Sequence, residues 1–234
     1  MIPLHDDNPT ELFPIVTIIL IASCALIFLW QVSLTLDVQQ SIVVSLGVIP
    51  ATLIGGKQLP PELALIPPSA TVLSSMFLHG GWMHMLGNML YLWIFGNNVE
   101  DAMGHWRFVF FYLLCGLAAA LAQSIPNPES TVPMIGASGA IAGVLGAYLL
   151  LHPHARVLVA IPIWVVIHTM RLPAVIVLGF WFLLQLISNV LSGDGGAGVA
   201  WGAHVGGFIA GIVLIPLFKR KGIKLFSQAT RNSR

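Results

Sequence analysis

Apolar residues are arranged along the chain in long blocks that are separated by shorter polar stretches. A helix needs about 20 mostly apolar residues to cross the hydrocarbon layer of a membrane. Six blocks reach or approach this length, and each predicts a membrane-spanning helix: residues 13–36, 84–99, 108–123, 138–151, 172–191 and 202–218. The predicted fold class is therefore an all-α membrane protein with six transmembrane helices.

Two further apolar stretches are not predicted to cross the membrane. Residues 41–76 contain five prolines and two charged residues, which predicts a long, partly membrane-embedded first loop. Residues 157–170 lie between Arg156 and Arg171 and contain a proline. A helix of that length would measure about 21 Å, which is short for a hydrocarbon core about 30 Å thick.

The composition supports a membrane protein and excludes other classes. Only 10 basic and 9 acidic residues occur among 234, and the mean hydropathy is +0.89. So few charges cannot cover a globule of this size in water, and so high an apolar content is foreign to disordered chains. The net charge of +1 excludes nucleic-acid binding through a broad basic surface. Two cysteines within apolar stretches provide no disulfide framework.

The distribution of basic residues predicts the orientation in the membrane. Six spans place both termini on one side, and nine of the ten basic residues fall on that side, with Lys57 alone on the other. The positive-inside rule makes the basic side cytoplasmic. The predicted organisation is a short cytoplasmic N-terminus at 1–12, a six-span domain at 13–218 and a basic cytoplasmic tail at 219–234.

Three clusters of polar residues interrupt the predicted spans. The string "HGGWMHMLGN" places His84 and Asn88 on one helical face, "GASG" places Ser138 at a helix start, and "WGAH" places His204 in the sixth span. At 1.5 Å per residue, these four residues lie roughly 18 to 24 Å from the cytoplasmic ends of their helices. Polar residues that share one depth within spans are candidates for function.

Small residues recur every four positions in the fourth and sixth predicted spans, a pattern that lets membrane helices approach backbone to backbone. The two stripes are Gly139, Gly143 and Ala147 in the fourth span and Ala203, Gly207 and Gly211 in the sixth. Pairing them would bring Ser138 and His204 together at one depth. The alternative is a packing seam with incidental polar groups, but a nucleophile and a base at matched depth favour a catalytic site.

These residue types fit nucleophilic catalysis. Serine is a weak nucleophile that needs an adjacent base, and neutral histidine suits that role near pH 7. The Ser138 amide at a helix start, with the side chains of His84 and Asn88, can stabilise the negative charge on an attacked carbonyl. No Asp or Glu lies within a predicted span to complete a triad. The pattern therefore predicts a Ser–His dyad.

The motifs "HGGWMHMLGN", "GASG" and "AHVGG", in this order over six spans, resemble those of the rhomboid family of intramembrane serine proteases. The resemblance implies a rhomboid-like bundle with Ser138 as nucleophile, His204 as general base, and His84 and Asn88 in the oxyanion site. It also implies membrane-protein substrates that carry helix-destabilising residues near the outer end of a transmembrane segment. The string "GNNVEDAMG", which contains Glu100, resembles a family segment to which we assign a structural role.

Two positions depart from the family pattern. Many members carry a Trp-Arg pair in the first loop, whereas this chain reads "PPSATVLSSMFLHGG" there. Members often have a tyrosine four residues after the serine, where its ring can pack on the histidine. This chain has Ala142 at that position, so the sequence does not identify the residue that orients His204.

Other functions fit the sequence less well. No H-E-x-x-H metalloprotease motif occurs, no aspartate lies within a span for aspartyl proteolysis, and no cofactor or metal is predicted. A transporter or channel would use charged residues within the spans or an inverted repeat, and neither is evident. A catalytically inactive, client-binding relative typically lacks the serine or the histidine, and this chain keeps both.

We expect the protein in the bacterial inner membrane, with an organelle membrane as the alternative. Hydrolysis consumes water, so the sequence also predicts a polar cavity open to the non-cytoplasmic side. The glycine-rich residues 193–199 are expected to cover that cavity, because glycines give a loop little conformational preference.

Overall fold

The computed structural model describes residues 1–164, 166–191 and 199–227. Its helices are α1 (Ile15–Val32), α2 (Leu36–Leu46), α3 (Pro50–Leu53), α4 (Pro68–Ser74), α5 (Trp82–Tyr91), α6 (Asn97–Met103), α7 (His105–Ser124), α8 (Ser138–Leu151), α9 (Ala174–Leu191) and α10 (Trp201–Phe218). Its strands are β1 (Ile2–Asp6), β2 (Arg156–Ile163) and β3 (Val166–Pro173). The fold is therefore mostly helical, as predicted.

Within the described residues, four helices are long and apolar enough to cross a membrane: α1, α7, α9 and α10. Helices α5 and α6 are joined by one π-helical turn, Leu92–Gly96, into a continuous helical rod. Helix α8 has 14 residues, and nearly all of its side chains are buried. Such a helix is apolar all round because its neighbours, rather than lipid, surround it.

Helices α8 and α10 pack through the two small-residue stripes. A Cβ atom built on Gly207 would collide with the carbonyl oxygen of Gly139, and one built on Gly211 would collide with that of Gly143. The two backbones are thus in direct contact, an approach that small residues permit in membrane helix pairs. The predicted pairing of the stripes is confirmed.

A three-stranded antiparallel sheet in the order β1-β2-β3 accompanies the helices. Strands β2 and β3 form a hairpin, and the N-terminal strand pairs with β2. The all-α prediction is therefore wrong for residues 2–6, 156–163 and 166–173. The hairpin segment is rich in valine and isoleucine, which favour strands. Pro162, which would break a helix, lies beyond the part of β2 that β1 covers.

Glu100 of α6 caps the N-terminus of α1. Its buried carboxylate accepts hydrogen bonds from the amides of Val16 and Thr17 at 2.9 and 2.8 Å and from Thr17 Oγ1 at 2.7 Å. A carboxylate is stabilised at a helix N-terminus by the helix dipole. The contacts join α1 to α6, in agreement with the structural role assigned to this segment.

The residues that follow α10 lie at this same end of the bundle. Arg220 forms an ion pair with Asp101 at 3.0 Å, and its amide donates to the carbonyl of Ala102 at 2.8 Å. Arg107 donates to the carbonyl of Lys219 at 3.3 Å. Three basic residues thus lie close to the end of α6 and the start of α7.

Residues 33–81 connect α1 to α5 and contain the short helices α2 to α4. Val48 pairs with Met134, and the amide of Ala51 donates to the carbonyl of Ser130 at 2.9 Å. These contacts join the first connection to the segment between α7 and α8. They lie at the end of the bundle opposite Glu100, where they border the candidate site.

Candidate active site

Ser138 is the first residue of α8, as the sequence predicted. Before it, Gly136 has a φ of +120°, a conformation that favours glycine, and its amide donates to the carbonyl of Ser75 at 2.8 Å. The first amides of a helix have no acceptor within that helix. The turn therefore presents the Ser138 side chain beside free backbone donors that can bind an anion.

His204 lies in the first turn of α10 and faces Ser138. Its Nε2 is 2.7 Å from Ser138 Oγ, a hydrogen-bonding distance. The two side chains meet because the two small-residue stripes hold α8 and α10 in backbone contact just below them. The contact predicted from the paired stripes is present.

Gln185 of α9 contacts the other ring nitrogen of this imidazole. Its Oε1 is 2.8 Å from His204 Nδ1, and its Nε2 donates to the carbonyl of Trp181 at 3.2 Å. The rings of Trp181 and Trp201 have centroids 6.0 and 5.9 Å from that of His204. Our sequence reasoning missed Gln185, although a glutamine within an apolar span is the kind of residue that marks a site.

His84 and Asn88 lie one turn apart on α5, next to the turn before α8. A Cβ atom built on Gly136 would be 2.7 Å from His84 Nε2 and 3.6 Å from Asn88 Nδ2. Asn88 is buried, and its Nδ2 has no hydrogen-bond partner among the described residues. Both side chains thus face the approach to Ser138, and Asn88 carries a donor that is ready for a ligand.

His79 lies just before α5 and is hydrogen-bonded to the protein. Its Nδ1 is 3.2 Å from the carbonyl oxygen of Phe77, and its amide donates to Gln31 Oε1 at 3.0 Å. Burial, with a smaller contribution from nearby His84, lowers the pKa of His79 to about 4, so its ring is neutral at pH 7. The ring packs edge-on against His84 at a centroid distance of 5.2 Å and supports that side chain.

A cavity of about 1260 Å³ is lined by the four site residues predicted from the sequence and by Gln185. Aromatic rings form part of its wall: Trp82, Tyr91, Trp181 and Trp201. Liquid water occupies about 30 Å³ per molecule, so this volume admits both water and an extended peptide segment. Of the predicted covering loop, residues 193–198 lie outside the described residues, while Val199 lines the cavity.

The described residues hold no cluster of three or more His, Cys, Asp or Glu side chains placed to bind a metal ion. The polar side-chain groups among the residues that line the cavity are hydroxyls, imidazoles, amides and indole N–H groups. These groups can transfer a proton and stabilise an oxyanion.

The Rhomboid domain family matches residues 69–221, which include the turn before α5, both glycine stripes and every candidate site residue. The chain belongs to the rhomboid family. Rhomboid proteins are typically intramembrane serine proteases, and some relatives are inactive. The family and the mostly helical membrane fold implied by the sequence motifs are therefore confirmed.

Named rhomboid relatives come from several kinds of organism. The chain is 34% identical to rhomboid protease GluP of Bacillus subtilis over 142 residues, which cover 60% of this chain and 24% of that protein. It is 28% identical to Rhomboid protein 1, mitochondrial, of Saccharomyces cerevisiae over 152 residues, 61% of this chain and 40% of that protein. It is 32% identical to rhomboid-like protease 5 of Toxoplasma gondii over 146 residues, 61% of this chain and 15% of that protein. The chain thus spans less than half the length of these relatives.

Proposed function

We propose that this rhomboid is a serine endopeptidase that hydrolyses peptide bonds in or near the transmembrane segments of membrane-protein substrates. The supporting observation is the 2.7 Å contact between Ser138 Oγ and His204 Nε2 within a polar cavity of an otherwise apolar helix bundle. A serine and a histidine in hydrogen-bond contact form the activated nucleophile of acyl transfer. The resemblance of the motifs to those of proteases adds to this proposal.

The proposed reaction begins with His204 Nε2 accepting the Ser138 proton while Oγ attacks the carbonyl carbon of the substrate. His204 then donates that proton to the departing amine, which leaves an ester between Ser138 and the acyl fragment. Water, deprotonated by the same imidazole, attacks the ester and releases the carboxylic acid product and the serine. Each proton taken by the histidine is thereby returned.

Negative charge develops on the carbonyl oxygen during both attacks. The Ser138 amide at the start of α8, Asn88 Nδ2 and the His84 ring are the proposed donors to this oxyanion. The unpartnered Asn88 Nδ2 supports its assignment, because a buried amide donor without an acceptor is costly unless a ligand supplies one. Among the described residues that line the cavity, no other has a buried side-chain nitrogen or oxygen without a partner.

Replacing Asn88 with alanine should lower kcat by about 10- to 1000-fold while changing KM less, because an oxyanion donor acts mainly in the transition state. The lower end of this range applies if His84 and the Ser138 amide hold the oxyanion without it. The measurement is steady-state cleavage of one transmembrane substrate by the purified wild type and variant. A change confined to KM would instead make Asn88 a substrate-binding residue.

We further propose six membrane spans with both termini on the cytoplasmic side. The two spans beyond the four long helices are the continuous rod from α5 through α6 and the buried helix α8. The contacts of Arg107 and Arg220 support the placement of the loop before α7 and the C-terminal tail on one side of the membrane, since both residues lie beside the end of α6. Lys57 pairs with Glu129 at 2.8 Å between α7 and α8, at the opposite end. This distribution fits the positive-inside rule.

The long connection of residues 33–81 is proposed to lie partly within the outer leaflet, because its helices pack beside spans and the connection exposes apolar side chains such as Leu65 and Leu73. The bacterial inner membrane is the proposed location of this chain. Its relatives include proteins named as mitochondrial and chloroplastic, so organelle membranes are the alternative.

The proposed activity is tested by reconstituting the protein in liposomes with a single-span substrate and mapping the products by mass spectrometry. The substrate pair differs only near the outer end of the span, where one carries helix-destabilising residues and the other carries leucines. We expect cleavage in or beside the span of the first substrate and much slower cleavage of the second, because a regular helix shields its peptide carbonyls. Folded protein that cleaves neither substrate would contradict the proposal, and substrate-independent solute flux would favour a transporter.

A further inference from the structure

We propose that Gln185 is a positioning residue that fixes the tautomer and orientation of the His204 ring, as the acid does in a Ser–His–Asp triad. The inference rests on the proposed dyad and supplies the group that the sequence left unassigned. Gln185 acts through His204 and has no direct role in bond making or breaking.

The hydrogen bonds of the Gln185 side chain identify which of its two polar atoms faces His204. Its Nε2 donates to the carbonyl of Trp181, which is an acceptor only, at 3.2 Å. The amide oxygen is therefore the atom that lies 2.8 Å from His204 Nδ1. Because an amide oxygen can only accept, Nδ1 carries the proton in this arrangement.

This tautomer is the one that general-base catalysis requires. In a neutral imidazole one nitrogen is a donor and the other an acceptor. With the proton on Nδ1, the lone pair of Nε2 points at Ser138 Oγ, which is 2.7 Å away. The opposite tautomer would place a proton on Nε2, and the ring could not accept the serine proton.

The surroundings of the pair explain why an amide suits this position. Gln185 is only 7% exposed. A carboxylate there would have to be desolvated within an apolar bundle, at a cost that its attraction to a histidine need not recover. The amide oxygen orients the ring without burying a charge. Trp181 and Trp201 flank the imidazole and restrict its rotation further.

The test compares three variants. Gln185→Leu removes the acceptor at similar volume, and Gln185→Glu keeps an acceptor oxygen. Asn189→Leu makes the same amide-to-alkyl change one turn further along α9, at a residue that lines the cavity but is not the partner of His204 Nδ1, and so serves as the control for the tautomer. Each variant is purified, its thermal unfolding is measured, and kcat and KM are determined on the same transmembrane substrate. The tautomer of His204 is read from the ¹⁵N NMR signals of labelled imidazoles, assigned by their loss in His204→Ala.

We expect Gln185→Leu to lower kcat by about 10- to 100-fold with KM within about twofold, because the ring loses its orientation in the ground state and the transition state. Gln185→Glu should recover most of this loss. The NMR spectrum should show His204 protonated on Nδ1 in the wild type and in Asn189→Leu, and a mixture of tautomers in Gln185→Leu.

Two results would overturn the inference: wild-type His204 protonated on Nε2, or an unchanged tautomer and kcat in folded Gln185→Leu. Failure of the proposed function has a different signature, namely cleavage that persists in Ser138→Ala. In that case the tautomer measurement still tests whether Gln185 positions the ring, since it requires no turnover.

Discussion

Replacing Ser138 with alanine, or His204 with alanine, should each reduce cleavage of a transmembrane substrate by at least about 10⁴-fold, because members of a catalytic dyad act as a unit. Without the hydroxyl no acyl intermediate forms. Without the imidazole the hydroxyl keeps its proton and is a poor nucleophile. For the same reason the double variant should be no worse than either single variant.

Matched controls separate this result from misfolding. Ser124→Ala removes another buried serine hydroxyl, one that has no hydrogen-bond partner among the described residues, and His168→Ala removes an exposed ring on β3. Both controls should cleave at rates close to wild type. Steady-state cleavage with purified, folded proteins provides the comparison. Near-wild-type turnover in Ser138→Ala or His204→Ala would rule out the dyad.

Replacing Gly207 with alanine should lower kcat/KM by about 100-fold or more, although this residue has no side chain and supplies no reacting atom. The added Cβ would collide with the carbonyl oxygen of Gly139, so α10 must move away from α8. A displacement of about 1 Å between reacting groups can cost two orders of magnitude in rate. Overpacking of a tight contact also destabilises a fold by about 1 to 3 kcal/mol.

Gly179→Ala is the matched control for Gly207→Ala. A Cβ atom at Gly179 of α9 meets no neighbouring atom within 4 Å, so the same substitution adds no clash there. It should leave activity within about twofold and stabilise α9 slightly, since alanine is a better helix former than glycine. Thermal unfolding in detergent and cleavage rates test both variants. If Gly207→Ala matched this control, the close contact between α8 and α10 would not be what holds the dyad together.

The helices and the contact between Ser138 and His204 could be predicted because hydropathy and small-residue spacing are local signals with direct physical causes. Apolar length marks spans. The glycines before and after Ser138 mark the start of α8, and the four-residue repeats identify the pair of helices in backbone contact. Depth then follows from helical rise, which placed Ser138 and His204 in one layer.

Two features could not be predicted in the same way. The hairpin of β2 and β3 is extended to a three-stranded sheet by β1, which lies far away in sequence, and pairing between distant segments leaves no mark on the local pattern. Gln185 faces His204 only because of how α9 is rotated against α10. Helix rotation is set by packing against neighbours, and a single glutamine within an apolar stretch does not reveal its partner.

The most direct measurement is reaction of the purified protein with a fluorophosphonate probe, followed by mass mapping of the labelled peptide. An activated serine forms a bond to the phosphorus and releases fluoride, whereas an ordinary serine does not react. We expect the label on Ser138 in the wild type, no label in Ser138→Ala, and labelling slowed by at least about 100-fold in His204→Ala. Equal labelling with and without His204, or cleavage-competent protein whose label lies elsewhere than Ser138, would contradict an activated Ser138–His204 pair.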